Sequence, residues 1–232
     1  LHSLPLALFA ATLVLGLIFA KGKQSGRFTI FPKGLTSFPG FKAGAMSNLL
    51  LIVASFVMWF LFPFYVADVM GRSGLTLGVL LALMAGMNFA GSGLAGWLTD
   101  RLGDRPITVF GTALTAVGLV LVGTAGATPT MMTVVIGTAV VGFGFGIHQA
   151  AVYALTLRGA PSEHAGATSA ALTVSQTIGT VASIALMTSL LKWQQSSNGD
   201  SFVEAYRFSY LVAAGIAVLS GVIVLRMRRS RS

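Results

Sequence analysis

Apolar residues run along this chain in long blocks, not in the short alternation of a half-buried strand or the single stripe of a soluble helix. Stretches free of Asp, Glu, Lys and Arg cover 1–20, 43–67, 73–99, 106–157, 165–191 and 208–225. A helix needs about 20 apolar residues to cross the hydrocarbon core of a bilayer. The fourth stretch is too long for one crossing. It divides at Ala125-Gly126-Ala127-Thr128-Pro129-Thr130, a turn-forming run of small residues with one proline. The pattern therefore predicts seven spans, near 4–20, 45–67, 74–98, 107–126, 131–156, 166–191 and 207–226. The fold class is all-α integral membrane, with seven transmembrane helices.

The longest connection divides these spans unevenly. Residues 21–44 carry Phe28, Phe31, Phe38 and Phe41 among Lys33 and Lys42, a mixture suited to the lipid headgroup layer. Pro32 and Pro39 argue against a long helix there. The domain reading is a preceding helix at 1–20, a cytoplasmic linker at 21–44, a six-helix bundle at 45–226 and a basic tail at 227–232. Six spans with short loops fit two groups of three, the inverted arrangement of many transport folds.

Composition strengthens the membrane reading. The chain is 232 residues long, 55% apolar and 9% charged, against about 25% charged in an ordinary soluble domain. Its net charge of +9 would raise nucleic acid as a partner in a soluble protein. The charges have a topological explanation instead. Of the 15 basic residues, only Arg72, Lys192 and Arg207 fall on one side of the predicted spans, and the other twelve fall on the opposite side. The positive-inside rule places the twelve in the cytoplasm, with Leu1 outside and the C-terminus inside the plasma (inner) membrane. No nucleic acid is needed. The chain has no cysteine, which excludes disulfides and thiol chemistry. It begins with Leu1, and we read it as a piece of a longer chain. Lys21 and Lys23 follow the first apolar block instead of preceding it, so a signal peptide fits poorly.

The most specific segment is Gly96-Trp97-Leu98-Thr99-Asp100-Arg101-Leu102-Gly103-Asp104-Arg105-Pro106. It ends the third span, turns on the cytoplasmic side and opens the fourth. Gly103 permits a sharp reversal. Pro106 suits the first turn of a helix. Asp100 can face the positive end of a helix or accept from backbone N–H groups. Arg101 and Arg105 can pair with acids or lipid phosphates.

The set Gly96, Asp100, Arg101, Gly103 and Arg105 resembles the signature loop of the major facilitator superfamily. In that family the loop joins the second and third helices of a six-helix half, which is its place within 45–226. The usual pattern has a basic residue where this chain has Asp104, a departure that fits the second copy of the loop, in the C-terminal half. The resemblance implies that Asp100, Arg101 and Arg105 help to lock one conformation, as a conformational gate. The segment Pro161–Ala170, the run Gln176-Thr177-Ile178-Gly179 and Ser201–Tyr206 are similar to the fourteen-span drug:proton antiporters. The first span would then be an extra helix between halves; a twelve-span parent fits equally.

Polar groups inside spans are the remaining candidates. No Asp, Glu, Lys or Arg lies deep in any span, which leaves Asn88, His148, Gln149 and Gln176 as substrate-path candidates. Two roles stand for His148: a titrating group in a polar cavity, or a neutral donor to a neighbouring helix. The amides more often bridge helices than contact substrate. In the second span, Phe56, Trp59, Phe60, Phe62, Phe64 and Tyr65 suit an outward or interfacial position better than a drug-stacking wall. Pro63 can kink this helix. The glycines of Gly142-Phe143-Gly144-Phe145-Gly146 favour close helix approach over nucleotide binding.

The functional expectation is the C-terminal part of a secondary transporter. It would act by alternating access in proton-coupled efflux of drugs or other small amphipathic compounds. Its partners would be membrane lipid, a small-molecule substrate, the proton as coupling ion and a missing N-terminal half. Transport of a specific metabolite is the alternative, and a seven-span receptor a weaker one, since no lysine sits inside a span as a retinal protein requires. His2, His148 and His164 lie far apart, with no catalytic triad or metal set visible. An enzyme and a cofactor are therefore not expected.

Overall fold

A computed structural model of the chain describes residues 39–126, 130–198 and 202–226. The predicted span 4–20, most of the linker and the tail 227–232 lie outside these residues. Six described helices are long and apolar enough to cross a membrane. We number them α1 (Pro39–Ser55, continued through Val57–Phe60 and Phe62–Phe64 into a π-helical turn at Tyr65–Val69), α2 (Gly74–Leu102), α3 (Asp104–Gly123), α4 (Met131–Arg158), α5 (Ala165–Asn198) and α6 (Phe202–Leu225).

Most helices outrun their predicted limits because polar residues add turns beyond the apolar core. α2 has 29 residues, about 44 Å at 1.5 Å per residue, and carries Asp100 and Arg101 in its last turn. α1 starts at Pro39, within the predicted linker. Proline fits the first turn of a helix, where its missing N–H has no partner to lose. Further along, the same helix is broken. Pro63 supplies no backbone donor, and the π turn bonds Met70 N–H to Tyr65 O at 3.0 Å.

α4 is the hub of the bundle, packed on α1, α2 and α3. Its glycines make this packing possible. A methyl group at Gly142 would collide with the Met84 backbone, one at Gly146 with the Asn88 backbone and one at Gly144 with Thr115 N. Helix axes therefore approach closely where attraction in lipid comes mainly from van der Waals contact. The buried core centres on α1 and α6, with Leu51, Met58, Leu61, Tyr65, Tyr206 and Tyr210 fully enclosed.

Buried hydroxyls and amides fasten α1 to its neighbours. Ser220 Oγ donates to Ser47 O at 2.8 Å, Asn48 Nδ2 donates to Ser175 Oγ at 2.9 Å, and Ser183 Oγ donates to Val53 O at 2.7 Å. Beyond the break, Tyr65 stacks on Tyr206 at 4.2 Å between ring centroids, and Tyr206 lies 4.3 Å from Tyr210. Tyr65 Oη donates to Gly126 O at 2.7 Å, tying the π turn to the α3–α4 connection. α2 has the least cover: 17% of its apolar window is buried, against 61% for α1.

Candidate functional site

A cavity of about 370 Å³ opens between α1, α2, α4 and α5. Ile52, Ser55, Phe56 and Trp59 reach it from α1. Their spacing of i, i+3, i+4 and i+7 puts them on one helix face. α2 contributes Met84, Ala85 and Asn88, and α4 contributes Val141, Gly142 and Phe145. Gln176 and Thr180, one turn apart, complete the wall from α5. The size falls within the range of small-molecule sites, and the mixture of apolar wall and a few polar groups is typical of them.

Polar capacity in this wall is unspent. Ser55 Oγ is buried without a hydrogen-bond partner. The amides of Asn88 and Gln176 and the hydroxyl of Thr180 also make no hydrogen bond among the described residues. Three aromatic residues, Phe56, Trp59 and Phe145, line the same space. Among the described residues, no ionisable side chain is in the lining.

The four sequence-predicted path residues therefore separate. Asn88 and Gln176 come together at the cavity, 88 residues apart in sequence. His148 does not join them. It is fully buried against α3, with Nδ1 3.4 Å from Thr108 O and Nε2 without a partner. Gln149, beside it, also lies outside the lining. The expectation that the aromatics of the second predicted span face outward fits the half-exposed Phe64 and Trp59 and fails for Phe62 and Tyr65, which are fully buried in the core against neighbouring helices. Phe56 and Trp59 also line the cavity.

The second constellation is the loop between α2 and α3. Gly103 turns the chain with φ of 88°, in the left-handed region that glycine adopts freely. Asp104 then occupies the first turn of α3, where the helix dipole favours an acid. Arg158, in the last turn of α4, donates from Nη1 to Asp104 Oδ1 at 3.1 Å and from Nη2 to Asp100 Oδ1 at 3.3 Å. The Asp104 side chain is only 9% exposed, whereas that of Asp100 is 72% exposed. Arg105 Nε donates to Val224 O at 3.0 Å, and its guanidinium also reaches Leu225 O, so Arg105 caps the end of α6. The Arg101 guanidinium sits 4.0 Å from the centre of the Trp97 ring. Gly96 has open space beyond its Cα.

Sequence reasoning missed Arg158, the partner of both acids. It lies 54 and 58 residues from them, and the available signal was only that all three charges fall at one end of the spans. It also passed over Ser55 and Thr180. Their signal is the helical spacing of Ile52, Ser55, Phe56 and Trp59, and of Gln176 and Thr180.

The profile of the Major Facilitator Superfamily matches residues 3–184. The chain is also similar to the uncharacterised transporter YebQ of Escherichia coli strain K12, with 27% identity over 232 positions, covering 98% of this chain and 49% of the relative. The chain spans about half the length of this curated relative.

Proposed function

Since the chain belongs to the major facilitator superfamily and is a multi-pass membrane protein of a transport family, we propose that it forms the C-terminal half of a proton-coupled exporter of small amphipathic compounds. The observation that carries this reading is the cavity between α1, α2, α4 and α5, with its unspent hydrogen-bonding groups. Alternating access would expose this wall first to one side of the plasma membrane and then to the other. The sparsely covered face of α2 is the surface for a preceding six-helix half, in keeping with a relative about twice as long. The loop end of the bundle lies in the cytoplasm, where its basic residues collect.

The loop works as a conformational latch. Arg158 and Arg105 tie it into its own half. Asp100 and Arg101 remain exposed, placed to meet the other half when the cytoplasmic side closes. The cavity wall holds no carboxylate among the described residues, so we assign the titrating acid to the other half.

The test is accumulation of a fluorescent amphiphilic dye in cells expressing the full-length protein. Lower accumulation that a protonophore abolishes is expected. Accumulation unaffected by the protein across neutral and cationic dyes would remove the efflux reading and favour a narrow metabolite substrate.

A further inference from the structure

Beyond a general amphiphile, the cavity wall specifies the chemistry of what it holds. We infer that the preferred ligand is an uncharged, planar aromatic compound with an amide-like edge, one that offers a donor and an acceptor side by side. This inference rests on the central-cavity reading above. Its physical basis is that the wall combines two kinds of group.

One part is aromatic. Phe56 and Trp59 from α1 and Phe145 from α4 present ring surface to the cavity. Trp59 is 52% exposed, a large apolar side chain left uncovered by its own bundle. Stacking on such rings favours flat ligands and gives little to a saturated sugar ring with hydroxyls at every edge.

The other part is polar and neutral. The amides of Asn88 and Gln176 each offer a carbonyl acceptor and an NH2 donor with no competing partner among the described residues. Thr180, partly exposed in the same wall, adds a hydroxyl that can donate or accept. A carboxamide or lactam edge matches an Asn or Gln side chain reciprocally. Among the described residues of this wall a carboxylate or phosphate finds no cation, and burying an unpaired ionised group is costly.

The test measures equilibrium binding of three related probes to the purified full-length protein: acridine, an acridine carboxamide and an acridine carboxylate, with maltose as a non-aromatic competitor. Probe fluorescence is read against an Asn88→Leu/Gln176→Leu variant in the same detergent, which subtracts partition into micelles. The carboxamide is expected to bind about 10-fold tighter than the carboxylate. The double variant should lose about 10-fold for the carboxamide while leaving plain acridine within about twofold. Maltose should not compete. A carboxylate that binds as tightly as the carboxamide, with both lost on Trp59→Ala, would overturn the inference and leave the central cavity standing. Absence of binding by every probe, with transport of other compounds unaffected by Trp59→Ala, would overturn both.

Discussion

Arg158, at the end of α4, donates to Asp104, at the start of α3, at 3.1 Å across 54 residues of sequence. The same guanidinium reaches Asp100 at 3.3 Å. The two acids are unequal. Asp104 is nearly withdrawn from solvent and Asp100 is mostly in it. Losing the Arg158 charge therefore strands one desolvated carboxylate and one that water can serve.

This inequality separates stability from cycling. Asp104→Asn should lower thermal stability in detergent by about 1–3 kcal/mol, because a poorly hydrated pair is broken. Asp100→Asn should cost about 0–1 kcal/mol, as exposed pairs do. If Asp100 serves the latch, its substitution should instead reduce the transport rate at equal expression. Melting curves and initial rates on the two variants check this together. Equal effects of both on stability and none on rate would make the loop purely structural.

Gly146→Ala should destabilise the bundle by about 1–3 kcal/mol, since the added methyl meets the Asn88 backbone on α2. Gly86 and Gly93, two turns apart on α2, face open space within this bundle. A leucine at either should leave the melting of the isolated six-helix unit nearly unchanged. In the full-length protein the same substitutions should impair transport if, as proposed, that face meets the other half. Retained transport would place the interface elsewhere.

Tyr65→Phe removes the hydrogen bond to Gly126 O and keeps the stack on Tyr206. The expected loss is about 1 kcal/mol. Hydrogen exchange should rise at the π turn and the α3–α4 connection before it rises elsewhere. Uniform change across the bundle would show that Tyr65 is not a local tie.

His148 lies against α3 and outside the cavity lining. His148→Gln should therefore leave the pH dependence of transport unmoved at equal expression, even if it lowers stability. A displaced pH profile would make His148 a proton carrier.

Much of this architecture was legible in the apolar blocks, because a bilayer forces each crossing to be long, helical and poor in charge. The helix ends were less legible, since Asp100 and Arg101 are polar yet still helical. The signature segment located the loop but not Arg158, whose pairing arises only when α4 returns beside α3. Within the cavity, Asn88 and Gln176 stood out as amides in apolar surroundings, yet so did Gln149. Only packing distinguishes them: Asn88 and Gln176 line the cavity, while Gln149 lies outside it. Trp59 was ambiguous for the same reason, because lipid and an apolar cavity select the same side chains.

If this wall is the substrate surface, it must open to each side of the membrane in turn. The chain has no cysteine of its own, so a single thiol at the cavity can be placed without background from these 232 residues. The direct measurement uses Thr180, which is partly exposed in the cavity wall. It is modification of a Thr180→Cys variant of the full-length protein, otherwise free of cysteine, by a membrane-impermeant thiol reagent added to one face of sealed vesicles or the other. Labelling is expected from both faces, slowed from both by a transported compound. Labelling from one face only, under every substrate and proton-gradient condition, would contradict that role for the wall.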